Sequence, residues 1–196
     1  MPDIFKSMLT ITRNLVVLGA LVFAGCTSGS AVKDGKSFND ADQEFVQEMI
    51  PHHEQAVVMS EMVSNVEVSG ETAALATEII GAQASEIELM KSFLSEWVVE
   101  FDPNSDPHAG HMMSGDESHG MMTDEELAEL ENSMGSNFEK MWLTMMLAHH
   151  KGAIKMAETV IADGKDARVK TLAEAIISEQ KKEIDLIDSL LAKLGS

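Results

Sequence analysis

Along Phe45–Val63 the chain reads FVQEMIPHHEQAVVMSEMV, and along Trp142–Val160 it reads WLTMMLAHHKGAIKMAETV. In both stretches apolar residues return at three- and four-residue intervals, the period of an α-helix with one face turned to a core. With Met49 at zero on a helical wheel, Phe45, His52, His53, Ala56, Met59 and Val63 fall within an arc of about 120°. The second stretch repeats the stripe, because Met146, His149, His150, Ala153, Met156 and Val160 follow at a constant offset of 97. The offset persists downstream, where Leu75, Ile79, Gln83, Glu86 and Ile87 return as Leu172, Ile176, Gln180, Glu183 and Ile184.

The same patterning predicts where helices begin and end. The first runs from Asn39 or Asp40, a good N-cap pair, to about Ser64, and the second from near Ser69 to about Val99. The run Thr123–Glu126, TDEE, is a capping box for a short helix that Gly135 breaks. A third long helix is expected from about Asn137 to Ala162, with Gly164 as its stop. Asp166 caps a fourth, ending near Leu194. Two repeats, about 40–98 and 137–195, therefore make two helical hairpins, each with an apolar face it cannot bury alone. Packed together they form an all-α four-helix bundle over residues 38–196 with pseudo-twofold symmetry. Scarce aromatics, with no Tyr, agree with an all-helical chain.

Both hairpins place polar groups on the buried face. Gln83 and Glu86 share the stripe of Ile79, Ile87 and Met90, and Gln180 and Glu183 share that of Ile176, Ile184 and Ile187. Buried without partners they cost several kcal/mol, so the His pairs are their expected partners. In the plain structural alternative, those bonds stitch the bundle and the methionines fill the core. In the functional reading, Met49, His52, His53, Met59, Met146, His149, His150 and Met156 are metal ligands, with Gln83, Glu86, Gln180 and Glu183 supporting them. Adjacent helical residues diverge by about 100°, so the two rings of a pair do not both face the bundle axis. Pro51 stands inside the first helix where the second copy has Ala148, so the two sites need not be equal.

The stretch between the hairpins changes character. Residues about 101–122 hold two Pro and several Gly, as a linker does, and His108–Met122 reads HAGHMMSGDESHGMM. His108, His111, Met112, Met113, His119, Met121 and Met122 give it thioether and imidazole donors. Such donors favour Cu(I), Ag(I) and Cu(II). A spacer of incidental composition is the alternative.

The N-terminus and the charge set the compartment and the partners. Residues 1–25 resemble a lipoprotein signal peptide: Lys6 and Arg13 lead into the apolar run Leu15–Ala24, and Gly25 precedes Cys26. Cys26, the chain's single cysteine, is the expected lipid anchor, and 26–37 a flexible tether. An ordinary signal peptide cut nearby is the alternative. Either places the mature chain in a bacterial cell envelope, on a periplasmic or extracytoplasmic face. A net charge of −19 argues against nucleic acid and suits a protein that meets cations.

The donor set points to copper, with silver as a further soft ion. Iron or manganese is the alternative, in a ferritin-like oxidoreductase using Glu86 and Glu183 with the His pairs. Such centres want Glu-x-x-His, which the chain lacks, and structural zinc would prefer cysteines. No nucleophilic triad or phosphate-binding loop is present, so no enzymatic turnover is expected. A metal-free envelope interaction module is the remaining alternative.

The blocks MIPHHEQAVVMSEM and MLAHHKGAIKMAET, with EIIGAQASEIELMKSFL, resemble the ferritin-like family called domain of unknown function 305, over about residues 38–196. The resemblance implies a four-helix, secreted or periplasmic protein. Some members of that family are copper-binding proteins of the cell envelope linked to copper resistance, so the resemblance also implies copper binding and copper-handling partners. By position it carries Met49, His52, His53, Met59, Met146, His149, His150 and Met156 over as candidate ligands.

Overall fold

The structure, a computed structural model, describes residues 36–101 and 119–195. The signal segment, Cys26, most of the tether and residues 102–118 lie outside the described residues. Five α-helices follow in order: α1 (Asp40–Met62), α2 (Gly70–Trp97), the short α3 (Asp124–Glu131), α4 (Gly135–Asp163) and α5 (Ala167–Leu194). A 3-10 turn, Val63–Asn65, extends α1. No strand occurs among the described residues.

The caps are those the sequence predicts. Asn39 and Asp42 form a capping box on α1, Thr123 and Glu126 form one on α3, and Ser69 and Asp166 cap α2 and α5. Each satisfies amides that the first turn of a helix leaves unpaired. Gly135 differs from expectation: it does not separate two helices but opens α4, and its φ of 56° lets the chain turn sharply into the helix. Gly164 does end α4, with extended backbone. Its reason is close approach, since a Cβ there would crowd the carboxylate of Asp42 and the carbonyl of Val160.

Each hairpin packs on itself, α1 on α2 and α4 on α5, and the hairpins join chiefly through α1 against α4. The core is split in two. One apolar cluster joins the start of α1 and end of α2 to the end of α4 and start of α5, around Phe45, Trp97, Val160 and Ile176. The other joins the opposite ends, around Met59, Leu75, Trp142 and Leu190, with Leu130 of α3 closing it. Between them lies a polar waist of His52, His53, Gln83, His149, His150, Gln180 and Glu183, all buried.

The two hairpins make equivalent contacts at the offset of 97. His53 Nε2 lies 2.8 Å from Glu86 Oε2, and His150 Nε2 lies 2.7 Å from Glu183 Oε2. Arg168 of α5 pairs with Glu96 of α2 at 2.6 Å, and Lys193 of α5 pairs with Glu71 of α2 at 2.8 Å. Arg168 is the counterpart of Glu71, and Lys193 that of Glu96, so the two ion pairs are one contact with its signs exchanged.

Candidate metal-binding core

The waist is built by helical register. His52 and His53 sit mid-α1 and His149 and His150 mid-α4, where the two helices cross. The rings of each pair diverge, as adjacent helical residues must. His53 and His150 turn sideways to their own hairpin's second helix, where each Nε2–H donates to a carboxylate. His52 and His149 turn towards each other, with ring centroids 3.8 Å apart and planes inclined by 39°.

Such a pair stays neutral. Burial, then the neighbouring charge of His53, lowers the pKa of His52 to about 3. Burial, then His52, holds His149 well below the ordinary histidine value. Removing two rings from water and setting them against each other disfavours the charged form twice over. Neutral imidazole is also the metal-ligating form. The Nδ1 atoms of His52, His53 and His150 and the ring nitrogens of His149 have no hydrogen-bond partner, and each of the neutral rings of His52 and His149 keeps one lone pair that a soft or borderline ion could take.

The end of the linker closes one side of the waist. His52 Nε2–H donates to the carbonyl of His119 at 2.9 Å. The Gln55 amide grips Met122 at both backbone groups, donating to its carbonyl at 2.8 Å and accepting from its N–H at 2.7 Å. Gly152 leaves the space for this segment, because a Cβ there would overlap the His119 carbonyl. Gly120, at φ 74°, turns against the carbonyl of Ala148. Residues 119–122 are thus a strap across α1 and α4.

The predicted residues divide as follows. His52, His53, His149 and His150 come together, and Glu86 and Glu183 pair with them as expected. Gln83 and Gln180 do not: both amides are buried and neither side-chain atom has a partner, because Glu86 and Glu183, one turn on, take the imidazoles. Met49 and Met156 lie in one apolar cluster and Met59 and Met146 in the other, on either side of the waist. His108, His111, Met112 and Met113 lie outside the described residues. His119, Met121 and Met122, expected in a linker apart from the core, are half-buried in the strap instead. Hydrogen bonds from Gln55 and His52 hold them there. Gln55 and Gly152 were missed, although the repeat marks them: they are counterparts, one a long amide and the other without a side chain.

Among the described residues no group of three or more His, Cys, Asp or Glu side chains is arranged to hold a metal ion. None of the described helices is long and apolar enough to cross a membrane.

Comparison with known proteins places this geometry. A family model described as domain of unknown function (DUF305) matches residues 42–191. Uncharacterized protein L153 of Acanthamoeba polyphaga mimivirus is 34% identical over 93 residues, covering 47% of this chain and 54% of that protein, so the chain spans about half the length of this relative. A DUF305 protein of Streptomyces coelicolor, classed as secreted, superposes with a TM-score of 0.70 at 31% identity, over 80% of this chain and 94% of that one. A DUF305 fragment from Deinococcus radiodurans gives 0.71 at 25%, over 81% and 99%. CopM in its Cu(II)-bound form gives 0.65 at 27%, over 78% and 96%, and its Cu(I)- and Ag-bound forms match similarly. With the family model matched along most of its length and the fold shared with solved members, this chain belongs to the DUF305 family.

Proposed function

We propose that this protein is an exported, lipid-anchored copper-binding protein that buffers or sequesters copper in the cell envelope, with silver as a further soft guest and no turnover. The observation that carries this reading is the likeness to CopM, whose structures hold Cu(I), Cu(II) and Ag, at 25–27% identity over 96% of its chain. The chemistry of this chain agrees: 15 methionines and seven histidines supply soft and borderline donors, and its single cysteine lies in the lipobox-like segment. The candidate ligands are Met49, His52, His53, Met59 and their counterparts in the bundle, and the His and Met of residues 108–122. The ferritin-like oxidoreductase has less support, since Glu86 and Glu183 each engage a single histidine rather than converging.

Protein isolated from its native membrane fraction tests all parts together. The expected result is bound copper and a chain that begins at an acylated Cys26. Iron or manganese would favour the oxidoreductase, no metal the interaction module, and an unmodified soluble chain would remove the anchor. In anaerobic Cu(I) competition titrations, deletion of residues 108–118 should lower capacity and leave helicity unchanged. Equal capacity would make that segment a spacer.

A further inference from the structure

The two halves of the bundle differ where the duplicated positions meet the surface. At one end, a pocket of about 140 Å³ between α1 and α4 is lined by Glu44, Glu48, His119, Met156 and Thr159. The offset of 97 carries Glu44 and Glu48 to Met141 and Met145, and carries Met156 and Thr159 back to Met59 and Met62. A carboxylate-bearing pocket in one half thus corresponds to four methionines in the other. We propose that Met59, Met62, Met141 and Met145 form a thioether site for a soft monovalent cation, Cu(I) or Ag(I). This rests on the copper-binding reading above and names a site for it.

Three observations support the assignment. Met59 lies in the second apolar cluster, and Met62, Met141 and Met145 all pack against it. The Trp142 Nε1–H donates to the carbonyl of Met59 at 3.1 Å, which holds α1 against α4 at this point. Met59 and Met62 are three residues apart and Met141 and Met145 four, so each pair presents its side chains from one helical face. Met62, Met141 and Met145 are half-buried, where the other half exposes Glu44 and Thr159. Plain core packing explains Met59, but gives less reason for three flexible thioethers at positions that water reaches. Met141 and Met145 also line an open groove with Glu126, Glu129 and Lys140, so two carboxylates face one ammonium there.

Thioethers carry no proton and no charge. They bind soft d¹⁰ ions and discriminate against hard divalent ones. Binding here should therefore persist at acidic pH, where imidazole sites lose their metal to protons. The pocket with Glu44, Glu48 and His119 has the harder donors and does not match a monovalent soft ion.

The test uses the full chain with methionine methyl groups isotope-labelled, titrated with Ag(I) at pH 5 and pH 7. The methyl resonances of Met59, Met62, Met141 and Met145 should shift together at the first equivalents, at both pH values. The Met→Leu variant at 59, 62, 141 and 145, which conserves volume, should lose one equivalent of tightly bound Ag(I). Unmoved resonances at these four positions, or undiminished Ag(I) uptake by a folded variant, would overturn the site while leaving copper binding elsewhere intact. Should the variant fail to fold, the wild-type resonances decide. Uptake of neither Ag(I) nor Cu(I) by the wild type would overturn the copper reading and this site together.

Discussion

Gly152 decides whether the linker's end can lie on the bundle. Its missing Cβ admits the His119 carbonyl, which accepts the proton of His52 Nε2. Gln55, its counterpart in the other repeat, secures Met122 from the opposite helix. Two positions with the same ancestry in the repeat thus do opposite work, one by reaching and one by standing aside. Replacing Gly152 with Ala should force the strap off α4, leave the buried His52 donor unpaired and cost about 1–3 kcal/mol. Hydrogen exchange at the Met122 amide should quicken while α1 and α4 stay protected. Unchanged protection at Met122 would mean that the strap accommodates the methyl group.

At the scale of elements, each hairpin's loop is held by the other hairpin's first helix. Asp42 Oδ2 of α1 accepts from the Lys165 and Asp166 amides at 2.8 and 3.0 Å, and Glu139 Oε1 of α4 accepts from the Ser69 amide at 3.1 Å. Burial pushes the Glu139 carboxyl up, but hydrogen bonds from Ser69 and Thr72 outweigh it and leave its pKa below the ordinary value. The surface pairs Arg168–Glu96 and Lys193–Glu71 are exposed and add little beside these more sheltered bonds. α2 ends less well than it begins: Val98, 91% exposed, adopts a left-handed conformation at φ 57°. A β-branched residue there costs about 1–2 kcal/mol, partly offset in a glycine variant by greater freedom of the unfolded chain. Val98→Gly should therefore stabilise by about 0.5–1 kcal/mol, seen as a rise in Tm. A fall in Tm would show that Val98 makes contacts worth more than its strain.

For the whole molecule, the waist couples stability to pH. His52 and His149 are held neutral in the fold, at pKa values below the 6.5 of an exposed histidine. The unfolded chain therefore binds more protons than the folded one as pH drops below about 6.5. Stability is full above that pH and is lost as pH falls towards the folded pKa of about 3 for His52. Each such histidine contributes a slope of up to ~1.4 kcal/mol per pH unit. Metal-free protein should melt several degrees lower at pH 5 than at pH 7. Copper bound to neutral imidazoles should protect more at pH 7 than at pH 5, since protons compete with the metal. A Tm independent of pH between these values would mean that the rings are hydrated rather than buried.

The sequence by itself determined the helices, their caps, the hairpin repeat and the residues of the waist. Helical period and N-cap chemistry are local, so Asn39, Ser69, Thr123 and Asp166 could be assigned from their neighbours alone, and a constant offset needs no coordinates. Pairing across helices was legible only in part. His53 with Glu86 and His150 with Glu183 followed from the cost of burying polar groups, yet the same argument assigned partners to Gln83 and Gln180 that they do not have. Tertiary structure alone decided which of two polar neighbours meets a ring, because that turns on the rotation and approach of whole helices. It also decided that the rings of His52 and His149 meet at the crossing of α1 and α4, that the strap lies over them, and that six methionines gather at one end of the bundle. Each of these depends on groups distant in the chain meeting in space, which periodicity along a single helix does not encode.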